Sequence, residues 1–326
     1  MTERNAPATT SEQTATETAV QSEARSAFRV HREEKMSSMV WRHFRRHPGA
    51  IAGLIVLSII ILGIVFASLS PYDPEATEVT NKLQPPSLVH PMGTDPLGRD
   101  LLTRVLYGGR VSLAVGLLVV AITLVIGVPI GALAGYYGGL VDNVLMRVTD
   151  LFLTFPSLFV LILLSALLRE VDIPGLKGGS LTTIALVIGV LSWMTMARLV
   201  RAAFLSIREM DFITAAHCLG VGSRRIMWRH ILPNATGPII VEATLEVGYA
   251  ILEESGLSFL GFGIQPPTPS WGNLLNNAQR RMIQQPWLAI FPGLMIFFAI
   301  IAINYIGDGL RDALDPRKVL RQIGEV

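Results

Sequence analysis

The chain has 326 residues, of which 51% are hydrophobic and 16% charged, with a formal net charge of +2. Soluble domains carry about 25% charged residues, so this balance points to a membrane protein, and so small a net charge leaves no footprint for nucleic acid. The single cysteine, Cys218, excludes an internal disulfide, and the six histidines are scattered without metal-ligand spacing.

In chain order, residues 1–36 are rich in Thr, Ser, Ala and Glu and lack the apolar core a secretion signal needs. They bury too little apolar surface to fold alone and read as a disordered tail. Residues 37–48 form a basic juxtamembrane segment. Its "WRHFRRHPG" sets Arg42, Arg45 and Arg46 at helical spacing, a cluster suited to anionic headgroups or simply to fixing topology. Residues 49–326 read as a transmembrane domain. A crossing takes about 20 apolar residues, and six stretches qualify: 49–69, 111–135, 144–168, 181–200, 237–255 and 287–308. The predicted fold class is therefore all-α, a polytopic membrane helical bundle. With the N-terminus inside, most of the 27 Lys and Arg fall on the inner side, so both termini are expected in the cytoplasm.

Several features within this frame carry chemistry or packing. In the second stretch, "GVPIGALAG" spaces Gly127, Gly131 and Gly135 for close helix approach, within the bundle or between subunits, and Pro129 is a candidate kink. In the third, Arg147 and Asp150 are placed to pair on one helix face. The fifth carries Glu242 and Glu246, four apart and so on one face. Charge near the bilayer centre costs about 2.5–3.5 kcal/mol, so that face borders water or protein: a translocation pathway, or a bundle partner for Glu246. Glu253 and Glu254 are expected in solvent near the outer end. The outer loop from 70 to 107 contains the turn-forming "GTDPLGRD", and "QPPTPSWGN" forms a stiff second loop. Each is a contact for an external partner, a gate over a pathway, or a structural lid.

"TAAHCLGVGSRRIMWRHILPN", residues 214–234, lies between the fourth and fifth stretches. Ala215, Ala216 and Leu219 favour a short helix that Gly220 ends. A second helical piece with Arg224, Arg225 and Arg229 is expected to stop at Pro233. Joined to two spans, this helix-turn-helix is a shape for docking into another protein's cleft. No Gly-Lys-Ser/Thr of a P-loop, no HExxH and no GxSxG is present, which makes an enzyme reading weak.

This segment resembles the coupling loop of ABC importer permeases, with Ala215, Ala216, Gly220, Leu232 and Pro233 at the matching positions. Thr214 stands where that family has glutamate and His230 where it has isoleucine. "GTDPLGRDLLTRVLYGGRVSL", "MRVTDLFLTFPSL", "RHILPNATGPIIVEATL", "ESGLSFLGFGIQPPTPSWG" and "GDGLRDALDPR" are in turn similar to the dipeptide, oligopeptide and nickel importer branch, specifically to the second of its paired permeases. The resemblance covers roughly residues 40–320.

The resemblance implies a permease with a coupling loop over 201–236, in a bacterial or archaeal plasma membrane. It implies a heterodimer with a second homologous permease, two ABC ATPase subunits using ATP and Mg, and an extracytoplasmic solute-binding protein. No cofactor belongs to this chain itself. The expected cargo is short peptides or related solutes such as nickel chelates. An ion-coupled secondary transporter using the acids of the fifth stretch is the alternative, and a non-transporting membrane scaffold a further one.

Overall fold

The computed structural model describes residues 36–170 and 177–314, with side chains from Val40 onward. The segment read as a disordered tail, apart from Met36, lies outside the described residues. Among the described residues the secondary structure is helical, with one isolated bridge between Thr94 and Asp100. The helices are α1 (Met36–Arg46), α2 (Pro48–Val65), α3 (Leu101–Tyr137), α4 (Gly139–Thr154), α5 (Ser157–Glu170), α6 (Leu181–Arg208), α7 (Asp211–Cys218), α8 (Leu232–Phe259), α9 (Trp271–Ala278) and α10 (Trp287–Leu314).

α2, α3, α6, α8 and α10 are long and apolar enough to cross a membrane. The third expected stretch is not one straight helix. α4 and α5 meet at an 85° bend. The cause is local: Phe155 precedes Pro156 and is extended, with ψ of 136°, because the proline ring disfavours helical backbone before it. The second crossing begins at Leu101 rather than at 111. Asp100 caps it there, accepting from the Thr103 amide at 2.8 Å and its hydroxyl at 2.7 Å.

α3 and α6 run parallel and pack backbone to backbone through the glycine row. A Cβ on Gly127 would lie 2.8 Å from the Trp193 carbonyl, and one on Gly135 would lie 2.6 Å from Phe204 Cβ; Gly131 faces the Ala197 carbonyl even more closely. The row therefore serves packing within the bundle. α8 runs antiparallel to α3, α10 antiparallel to α8, and α2 antiparallel to α10, where Gly53 sits against Ala302. α3 continues as one helix through Pro129.

Two ends result. The base gathers α1, α7, the C-terminal ends of α3, α6 and α10, and the start of α8. The opposite end carries a lid. In the lid, Asp95 accepts from the Leu97 and Arg99 amides at 2.8 and 3.0 Å and from Arg99 Nε at 2.7 Å. Gly98, at φ +78°, makes that turn, and Arg104, fully buried, donates to the Pro74 carbonyl at 2.6 Å. His90, Thr94, Asp95, Arg99 and Asp100 are all buried. A loop so densely satisfied is structural, which favours the lid reading of "GTDPLGRD".

The expected Arg147–Asp150 pair does not form. Asp150 instead accepts from Arg198 of α6 at 2.5 Å. An i,i+3 neighbour on one helix loses here to an arginine reaching across from the adjacent helix.

Candidate functional site

α7 and the turn after it form a compact projection at the base. Gly220 takes φ +74°, which frees its own amide to donate to the His217 carbonyl at 2.9 Å while the Val221 amide donates to Ala216 at 3.1 Å. These two bonds are the Schellman closure of a helix, with Gly in the left-handed position. The chain then turns through Gly222 into Ser223–Arg225.

The second helical piece does not stop at Pro233. It runs through a π-helical stretch, Ile226–Ile231, straight into α8, with Pro233 in the first turn of that helix. Proline lacks an N–H and crowds the preceding turn; the wider π turn gives its ring room and lets the helix continue. Asn234 Nδ2 donates to the His230 carbonyl at 2.6 Å, replacing part of the lost ladder.

An apolar cluster fixes this projection to the bundle. Ile213 and Ala216 of α7 and Ile226, Met227 and Ile231 of the π stretch pack against Val200, Phe204 and Ile207 of α6, Ala132 and Tyr136 of α3, and Ala235 and Ile239 of α8. The residues matched to the coupling motif divide accordingly. Ala216 is buried and Leu232 half-buried in the cluster, whereas Ala215, Gly220 and Pro233 are exposed. At this point the buried apolar contact comes from Ile231, while its neighbour His230 is half-buried. Outward, the projection presents Phe212, Thr214, Ala215, Leu219 and a basic rim of Arg224, Arg225 and Arg229 around Trp228.

Polar clamps brace the same helices. Arg201 of α6 grips Asp142 of α4 with two donors, Nη2 at 2.6 Å and Nε to the other oxygen. Arg208, at the end of α6, donates to the Tyr136 carbonyl of α3 at 2.9 Å. Only Glu209 and Met210 separate α6 from α7. α7 is thus joined, through this packing and these clamps, to α3, α4, α6 and α8. Sequence reasoning missed these clamps, since each joins residues far apart in the chain.

The acids of α8 occupy different environments. Glu242 is half-buried; Glu246 is buried, with Ser192 of α6 beside it. Glu254, expected in solvent, is fully buried. It accepts from the hydroxyls of Ser112 at 3.0 Å and Ser258 at 2.7 Å. Ser112 in turn accepts from the Trp271 amide at 3.3 Å, and Ser258 accepts from that of Ile264 at 3.0 Å. Glu254 therefore ties α8, α3 and the start of α9 together beneath the lid. The serines around it, spread over "RVSL", "GLSF" and "PSWG", were the available signal.

Residues 127–319 match the family of binding-protein-dependent transport system inner membrane components. The chain belongs to that family. Residues 36–86 also match the N-terminal TM domain of oligopeptide transport permease C. The permease is 42% identical over 278 residues to the dipeptide transport system permease protein DppC of Alkalihalophilus pseudofirmus, spanning 85% of this chain and 88% of that protein. It is 39% identical to the glutathione transport system permease protein GsiD of Pectobacterium atrosepticum, over 85% of this chain and 90% of that protein. In fold it resembles the inward-facing MetNI methionine ABC transporter, with a TM-score of 0.54 and 20% identity over 64% of this chain and 95% of that one. It is an ABC importer permease, a multi-pass component of the inner membrane.

Proposed function

We propose that this permease forms part of the membrane path of an ATP-driven importer of short peptides, in which the projection of α7 and its turn receives the motion of ATPase subunits. The reading rests on one observation above the others: α7 is exposed outward at Ala215 and Leu219 yet anchored inward by Ile213 and Ala216 to three long helices. The names of the relatives, dipeptide and glutathione transport systems, support the cargo class. Two ABC ATPases carrying ATP and Mg dock on the base, and an extracytoplasmic solute-binding protein delivers cargo at the lid. The chain performs no nucleotide chemistry of its own. The basic residues concentrated at the base, Arg198, Arg201, Arg208, Arg224, Arg225, Arg229 and Arg311, support a cytoplasmic base with both termini inside.

The bend between α4 and α5 supports a second, homologous permease as partner. Broken backbone at membrane depth is tolerated where protein or a water-filled cavity covers it. Phe152, Phe155 and Phe159 at this break are exposed in the single chain. The stripe of Glu242 and Glu246 faces that same shared path in the proposed heterodimer. We propose the domain division read from the sequence: a tail over 1–36, a juxtamembrane segment over 37–48, and a permease domain over 49–326 with its coupling loop at 201–236.

Cys218, the only thiol of the chain, is exposed on α7 and serves as a native probe. In membranes holding the complete transporter, a short bifunctional reagent attached to Cys218 is expected to capture an ATPase subunit. Capture lost in Cys218→Ser confirms the site; a Cys218 that labels freely and captures no ATPase subunit overturns the docking role.

A further inference from the structure

The proposed function leaves α1 unused, although its chemistry is specific. Its inward face is apolar: Phe44 is buried against Gly309, Ala50 and Ala313, with Val40 one turn earlier beside it. Trp41, 53% exposed, stacks on the outer side of Phe44 with ring centroids 5.9 Å apart, and beside it lie the exposed Arg45 and Arg46; with Arg42 these residues line an open groove. Arg45 sits over the Trp41 ring, its guanidinium carbon 5.8 Å from the centroid. No acidic residue occurs in Met36–Arg46.

Position decides the occupant. His47 alone separates α1 from α2, and its imidazole caps α2 by accepting from the Ala50 amide at 3.0 Å. The uninterrupted apolar span begins at Pro48, so Arg45 and Arg46 stand within about one helical turn, roughly 5 Å, of the hydrocarbon edge. The headgroup layer lies just outside that edge, some 5–7 Å deep on each side. An arginine side chain reaches across it, and tryptophan favours the same depth. The Phe44 plug holds the helix at this level and keeps its basic faces outward.

We infer that α1 is a binding site for anionic phospholipid, with the headgroup phosphate held by Arg45 and Arg46 beside the Trp41 ring and the acyl chains running along the exposed apolar face of α2 at Leu54 and Ile55. Because Phe44 seats in the notch at Gly309 of α10, a lipid held here is mechanically joined to the base of the bundle. Zwitterionic lipids offer the same phosphate with its charge offset, and free phosphate lacks the acyl chains, so neither satisfies both halves of the site.

The test uses the complete transporter in detergent, titrated with phosphatidylglycerol and, separately, phosphatidylcholine, with bound lipid counted by native mass spectrometry. Each arginine near an anionic surface contributes about fivefold in affinity, so the R45Q/R46Q variant is expected to bind phosphatidylglycerol about thirtyfold more weakly, with phosphatidylcholine unchanged. R45K/R46K retains the charge and is expected to keep most of the binding, which separates the site from a folding defect. Equal phosphatidylglycerol binding by wild type and R45Q/R46Q overturns the inference. So does equal binding of the two lipids by wild type. Displacement of bound phosphatidylglycerol by millimolar inorganic phosphate would show a free-anion site instead and also overturn it.

Discussion

The Val221 amide reaches back over Gly220 to the Ala216 carbonyl at 3.1 Å, closing α7 before the chain turns toward α8. This bond exists because Gly220 holds φ +74° with open space around its α-carbon. The constraint is thus one of backbone conformation and not of room.

Gly220→Pro forces φ near −65° and removes the amide that donates to His217. Uptake of a labelled dipeptide by cells carrying this variant is expected to fall to background while the protein still inserts, as judged by its amount in washed membranes. Gly220→Asn tolerates the left-handed region and is expected to retain most activity, whereas Gly220→Val strains the backbone by about 1–2 kcal/mol and is expected to fall between. Near-normal uptake with the proline variant would falsify the coupling role of the turn.

The seam between α3 and α6 behaves oppositely, since there space is the constraint. Gly131→Leu drives a side chain into the Ala197 carbonyl and Val200 and is expected to cost about 1–3 kcal/mol or more, read as a lowered Tm of the purified protein. Gly256 of α8 has nothing within 4 Å of its missing Cβ, so Gly256→Ala is expected to leave stability unchanged or raise it by about 0.5–1 kcal/mol. A Gly131→Leu protein as stable as wild type would contradict the packing described.

Glu254 is held by donors from Ser112 and Ser258. Glu254→Leu strands both hydroxyls and is expected to cost about 1–3 kcal/mol per group left unpaired, loosening the lid and lowering Tm. Glu254→Gln still offers an acceptor and is expected to lose less. Limited proteolysis at the lid end reads the same change locally; identical cleavage rates for the leucine variant and wild type would argue against the hub.

Glu246, proposed to face the shared path with Glu242, offers a charge-specific test. Glu246→Gln is expected to slow uptake of peptides bearing an extra positive charge by about tenfold relative to neutral ones, the size of a modest charge interaction in a wet cavity. Equal effects on both peptide classes would assign Glu246 to the packing of the bundle alone.

Much of this architecture was legible in the chain. Apolar length gave the crossings, because lipid demands about 20 residues of a helix whatever its neighbours are. Gly220 declared the end of α7, because few other residues take its conformation. What escaped reading was set by pairs distant in sequence. Asp150 looks like a partner for Arg147 until Arg198 arrives from α6, and Glu254 looks solvated until Ser112 is brought beside it from α3. The bend at Phe155 was written in Pro156 but was outweighed by the apolar run on both sides. Pro233 signals a helix break by local rules, and only the π stretch before it explains why the helix goes on.

The glycine row between α3 and α6 has a consequence for how the machine cycles. Two rods in such intimate apposition cannot slip past one another without forcing carbonyl oxygens into α-carbons, so they travel as a single plank. In the proposed heterodimer, alternation between open and shut would then fall where the plank meets looser neighbours, at the crease between α4 and α5 and along the boundary with the proposed companion subunit. Under the proposed coupling, the rigid seam is the part that carries the stroke and the crease is the part that yields to it.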